Sequence, residues 1–341
     1  MKVITILLFS LSLIQANTIN IILPQVPKVS KVPKVNVIVP LSSTRNSTKY
    51  PTNEEILREA THKKIISFSN HIAPIIAKKK KKTDAIIPVG DIKNGQVSAY
   101  LHAPLENVSD IIKKLQSAGF KILKTFQINK KAIVTSITFT NERLIQLASQ
   151  HDRGFASVLR ITVDTKDNLI SISNPIFILK AFMQEDYDKN IAHEILSSLH
   201  HAFKNLKESN EILKERLLSR YQFMQGLPKY KDMQVIKKGP SAKLLEKALK
   251  NKNVVYSQTL NNGTTLLGVA LNKRTSNFIK KIGYQNAGLL PYPVIIQNDE
   301  VKILDPKYYI AIMYPMLKMS QFMTIATIPG AINKDIDRIF R

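Results

Sequence analysis

No cysteine occurs in this chain. That excludes disulfides, thiolate catalysis, iron–sulfur clusters, covalent haem attachment and a lipidated Cys. Glycine is scarce, at 11 of 341 residues. Little material remains for a glycine-rich phosphate loop, and no Gly-x-Ser-x-Gly nucleophile elbow is present. Acidic residues are outnumbered two to one, 25 against 50 Lys and Arg, for a formal charge of +25. Most of the cations are Lys. Arg is the residue suited to bidentate base readout, so a Lys excess reads as diffuse attraction to anionic surfaces rather than sequence-specific nucleic-acid binding. Long apolar runs are absent after the first few residues, so no transmembrane span is expected downstream.

The run that does exist, residues 3–14, follows Met1-Lys2 and is the length of a signal-peptide core. Ala16 offers a cut site, so residues 1–16 read as an export signal. An uncleaved N-terminal anchor is the alternative. The protein is expected to be exported, periplasmic or envelope-associated. Residues 17–90 read as a basic, Pro- and Lys-rich tether. Pro24, Pro27, Pro33 and Pro40 interrupt its alternation, which favours an extended segment over a paired strand. Lys78, Lys79, Lys80, Lys81 and Lys82 form an unbroken run. It reads as a solvated stretch or as a contact for an anionic envelope surface.

The remainder says one passage twice. Asn141 and Asn272, Arg143 and Arg274, and Pro175 and Pro306 each stand 131 positions apart. Between them the same parts follow in order: alternating strand, amphipathic helix, hairpin, and a proline that starts another helix. The expected fold class is α/β, an α+β sandwich of two tandem β-α-β-β-α-β-β-like copies forming a pseudo-twofold body. The copies span 95–186 and 240–330, with a helical insert and aromatic loop at 187–239 and a C-terminal tail at 331–341. Asn261-Asn262-Gly263 marks a tight hairpin turn.

Ala118-Gly119-Phe120, Leu289-Leu290-Pro291-Tyr292, and the Asn174-Pro175 and Asp305-Pro306 helix starts together resemble the bacterial family known as domain of unknown function 302. The resemblance covers 97–183 and 241–329. It implies a compact α/β sandwich and a tendency to dimerise. It implies no reaction and no catalytic residues. The chain departs from the family pattern in carrying two copies and a basic leader. Two halves in one chain would bury against each other as a homodimer does.

Few residues suggest chemistry. Met313, Met316, Met319 and Met323 share a helical face by spacing. Core packing is the first reading; an apolar-ligand pocket and a soft-metal site are the rivals. His193, His200 and His201 sit on one predicted helix without the His-Glu-x-x-His spacing. Glu185, Asp186 and Asp188 read as caps for that helix rather than a Ca²⁺ loop. Arg160 interrupts an apolar run and is expected to point outward or pair with an acid. Tyr221, Phe223, Met224 and Tyr230, with Met313 and Met316, are the candidate lining of a ligand seam between the copies. No cofactor, metal or catalytic residue is expected. The functional reading is a non-enzymatic exported protein binding a small apolar ligand or a protein partner. An enzyme with an unusual site in the seam and a purely structural envelope protein are the alternatives.

Overall fold

The computed structural model of the chain describes residues 88–128 and 133–341. The expected export signal, the basic stretch through the lysine run, and residues 129–132 lie outside the described residues. The ordered body includes residues ahead of the expected start at 95: Gly90 donates to Glu208 Oε1 at 3.1 Å and its carbonyl accepts from Asn174.

The first module runs β1 (Gln96–Ser98), β2 (Tyr100–Pro104), α1 (Val108–Ser117), β3 (Lys121–Gln127), β4 (Val134–Thr140), α2 (Glu142–Ala148), a 3₁₀ turn at Gly154–Ser157, β5 (Leu159–Asp164), β6 (Leu169–Ser173) and α3 (Pro175–Met183). Local chemistry sets the helix starts. Asn141 Oδ1 accepts from Leu144 N at 2.9 Å, and Asn174 Oδ1 accepts from Ile176 N at 3.0 Å with Pro175 at the first helical position. Ile111 and Leu115 bury the inner stripe of α1.

The insert begins as expected with α4 (Lys189–Ala202), whose N-terminal amides at Asn190 and Ile191 are capped by Asp188. Glu185 and Asp186 instead pair with Arg153, at 2.5 and 2.8 Å. The helical character expected of the insert does not continue. The chain forms β7 (Lys207–Glu208), β8 (Ile212–Lys214) and a single turn, α5 (Glu215–Leu218). β7 pairs with β2 and β8 with β1. Open strand edges claim this segment, overriding its helical propensity.

The second module runs β9 (Gln234–Lys238), α6 (Ser241–Leu249), β10 (Val254–Thr259), β11 (Thr265–Val269), α7 (Lys273–Ser276), α8 (Ile279–Ile282), a 3₁₀ turn at Ala287–Leu289, β12 (Tyr292–Gln297), β13 (Glu300–Ile303) and α9 (Pro306–Met313). β9 falls within 187–239, the stretch expected to be the insert, and joins the second sheet instead. The one helix expected after Asn272 is split into two short ones. Asn272 starts α7, but its side chain bonds Asp335 rather than the helix amides. The residues expected as a tail are structured. After α10 (Met319–Met323) come α11 (Ile328–Asp337) and a final turn, with Ile332, Ile336, Ile339 and Phe340 buried at helical spacing. Among the described residues no helix is long and apolar enough to cross a membrane.

Two mixed α+β modules result, each with an antiparallel sheet. The orders are β3-β4-β5-β6-β2-β7 and β10-β11-β12-β13-β9. Strand for strand they run in the same sense, with β7 an extra edge on the first. β3 and β10, the corresponding outer strands, lie beside one another. The contact between modules is reciprocal. A Cβ at Gly154 would stand 3.1 Å from Ile295 Cγ2, and a Cβ at Gly288 would stand 3.6 Å from Thr162 Oγ1. Thr162 lies opposite Ser136 and Ser171 on its sheet; Ile295 lies opposite Leu266 and Lys302 on the other. Each module thus sets a glycine-bearing 3₁₀ turn on the matching strand of its neighbour.

Candidate functional site

Alternation along a strand sends successive side chains to opposite faces. In the first sheet, one face carries Leu101, Ile137, Ile161 and Ile172, all without solvent exposure. The other carries His102, Ser136, Thr138, Arg160, Thr162, Asp164, Ser171 and Ser173. The register lines up Ser136, Thr162, Ser171 and His102 as one row across four strands. Such a face normally meets water. Here the second module covers it, and the Ser and Thr side chains just named are buried. The hydroxyls of Ser136, Thr162 and Ser171, Asp164 Oδ2 and His102 Nε2 have no hydrogen-bond partner among the described residues. Buried polar atoms without partners are rare and ask for an explanation.

The corresponding row of the second sheet reads Leu266, Ile295 and Lys302. The architecture therefore does not require hydroxyls there; of these two rows only the first module's carries them.

Arg160 lies within this face and is 4% exposed. The expectation that it points outward or pairs with an acid fails. Its Nη2 donates to Tyr256 Oη at 3.3 Å and to the Pro291 carbonyl at 3.1 Å, and Nη1 donates to Tyr309 Oη at 3.4 Å. Burial opposes its charge, while neighbouring Tyr309, Tyr256 and Tyr100 favour it and leave the pKa raised; a guanidinium stays cationic in any case. At the far end of the row, burial lowers the His102 pKa while the Glu211 carboxylate pulls it back up. Glu211 accepts from Asn286 Nδ2 at 3.1 Å. Burial also raises the Asp164 carboxyl, against two backbone amides that donate to its Oδ1.

Beside the polar face an open cleft of about 620 Å³ runs between the modules. Phe126, Gln127, Ile128 and Ile133 line it from the first module. Leu271, Lys273, Ser276, Asn277, Lys280 and Tyr284 line it from the second. Phe126 stands directly opposite Ser136 on the neighbouring strand, so the cleft opens at the edge of the hydroxyl row. Lys273 and Lys280 are exposed at its rim, while Ile128 and Leu271 are buried in its floor.

The residues singled out from sequence do not converge on one cavity. Tyr230 is buried with its ring 6.1 Å from Tyr308 and 6.0 Å from Phe182, and its hydroxyl donates to the Asp152 carbonyl at 2.6 Å. Tyr221 packs on Tyr308 and donates to the Ala311 carbonyl. Phe223 packs on Phe322, 5.3 Å between centroids. These rings cement the seam rather than line an opening. Met313 is buried in α9, whereas Met224 and Met316 are 48% and 59% exposed. The shared methionine face does not form, because α9 ends at Met313 and Pro315 separates it from α10. The histidines secure the start of the body: His193 Nε2 lies 3.0 Å from Asp91 Oδ1, and His200 Nε2 lies 2.8 Å from the Val89 carbonyl.

Sequence reasoning missed the polar row and the cleft. The row's signal was present as Ser136-x-Thr138, Arg160-x-Thr162-x-Asp164 and Ser171-x-Ser173 on three successive strands. Its burial depends on the second module and leaves no local trace. The chain matches no family model, no curated protein and no solved structure.

Proposed function

We propose that the chain is a ligand-binding protein that holds a small amphipathic molecule, with an apolar body and an anionic head, between its two modules. The observation that carries this reading is the cleft of about 620 Å³ whose apolar floor comes from both modules and whose rim bears Lys273 and Lys280. Its size and mixed lining suit a small ligand. The site differs from the one expected at Tyr221 and Tyr230, whose rings serve packing. The equal strand orders and the reciprocal glycine contacts support descent of the modules from one duplicated unit with a pseudo-twofold between them. An export signal at 1–16 and the basic stretch after it support a setting in the cell envelope, with Lys78 to Lys82 facing an anionic surface.

Titration calorimetry of the full chain with dodecanoate tests the reading. A saturable one-site isotherm is expected, weakened at least about tenfold by Lys273→Glu combined with Lys280→Glu, a loss of about 1.4 kcal/mol. Absence of binding, or equal binding by the double variant, would sink it.

A second reading, an enzyme, draws support from His102, held neutral by burial beside Glu211 and an unpartnered row of hydroxyls. A neutral imidazole on such a face is a candidate general base. Under this reading, hydrolysis of an ester panel by the wild type should vanish in His102→Gln. No turnover by the wild type removes it.

A further inference from the structure

Among the described residues two arginines are largely buried and treated in opposite ways. Arg153 pairs with the carboxylates of Glu185 and Asp186. Arg160, more deeply buried, has no carboxylate within ion-pair distance among the described residues. Asp164, on the same strand and face, stands four residues along, roughly 13 Å at the rise of a strand. Glu211 is engaged by Asn286. Among the described residues the guanidinium donates to neutral acceptors: two tyrosine hydroxyls and one carbonyl. A guanidinium has five N–H donors. Three are used here, and Nε has no partner.

A buried cation without a counter-charge is costly, and an apolar side chain of similar size would avoid that cost. The architecture does not demand the charge, since the corresponding place on the second sheet is Pro293, opposite Gly268 as Arg160 is opposite Thr138. From these facts we infer that Arg160 is a binding site for a small monovalent anion, chloride or a short carboxylate, enclosed between the first sheet and the chain at 287–291. The free Nε–H supplies one donor. The unpartnered hydroxyls of Thr162, Ser136 and Ser171 lie on the same face and can turn their protons toward negative charge. One cation sets the charge at minus one. Gly288 packs over Thr162 on the same face. The inference does not rest on the neighbouring cleft or its ligand.

Crystals of the full chain soaked in bromide should show an anomalous peak beside Arg160 Nε. At constant ionic strength, the wild type should melt about 5 °C higher in saturating chloride than in gluconate. In Arg160→Met that difference should vanish. If Arg160→Met does not fold, the bromide peak decides alone. A soaked crystal with no peak at Arg160, or with a carboxylate from residues 1–87 or water in its place, overturns the inference. So does an Arg160→Met protein that folds and keeps the chloride difference.

Discussion

The hydroxyl of Tyr100 on β2 donates to the carbonyl oxygen of Met313 at 2.7 Å, joining the first sheet to the last turn of α9. A helix end leaves its last carbonyls without intrahelical partners, and this one is buried. Tyr100→Phe keeps the ring and removes the donor. It should lower the unfolding free energy by about 1–3 kcal/mol, read by urea denaturation. An unchanged midpoint would mean that the bond contributes nothing across the seam.

Asn174 and Asp305 hold corresponding places before Pro175 and Pro306 but carry different loads. Asn174 caps α3 and also donates to the carbonyls of Gly90 and Ser98, both at 2.8 Å. Asp305 caps α9 and accepts from Gln234. Asn174→Ala should cost about 3 kcal/mol and Asp305→Ala about 1–2 kcal/mol. Reversal of that order in denaturant melts would contradict the assignment.

Tyr230 bridges the insert, the first module and the second. Its ring meets Phe155, Phe182 and Tyr308, and the Arg153 guanidinium stands 5.6 Å from the ring centre. Tyr230→Ala should destabilise by about 3–5 kcal/mol. Tyr230→Phe, losing only the bond to Asp152, should cost about 1 kcal/mol. If both variants were equally mild, Tyr230 would not be a packing element.

His102 makes stability depend on pH. Its folded pKa lies below the ordinary 6.5 because of burial. The unfolded chain therefore binds more protons in the window just below that value, and stability falls as pH drops through it. Asp164, raised by burial, acts with the opposite sign at lower pH, where its stabilising contribution is lost as pH rises. Melting curves from pH 7 to pH 5 should fall less steeply for His102→Gln than for the wild type. Parallel curves would refute the assignment.

The reciprocal turns make a paired prediction. A Cβ at Gly154 would stand closer to its nearest neighbour than one at Gly288, at 3.1 Å against 3.5 Å. Valine at either site overpacks the seam by about 1–3 kcal/mol, and Gly154→Val should be the worse of the two by thermal melting.

Much of the fold could be read along the chain because its signals are local. Asn141, Pro175 and Pro306 mark helix starts through their own hydrogen-bonding and backbone chemistry. Asn261-Asn262-Gly263 makes its turn for the same reason, with Asn262 Oδ1 accepting from Thr264 N at 3.0 Å. What escaped was set by distant partners. β7 and β8 exist because β2 and β1 present open edges, although Leu206 to Leu218 has a helical pattern. Ile332 and Ile336 have a regular spacing, but their burial comes from tertiary packing. The candidate site is the extreme case. Ser136, Thr162 and Ser171 alternate with Ile137, Ile161 and Ile172, the pattern of a solvated sheet face, and only the arrival of the second module buries them.

The difference between the two inner faces has a consequence for the protein during its synthesis. Domains form from the N-terminus as the chain emerges. The first module is complete through β7 before residues 284–291 exist, so its unfinished surface at that stage is the row of hydroxyls, which water satisfies. The counterpart that carries Leu266 and Ile295 is made later. By then a folded neighbour on the same chain is ready to cover it. A half-finished molecule leaving the ribosome thus shows its neighbours a wettable side, and its adhesive side is exposed for the shortest time.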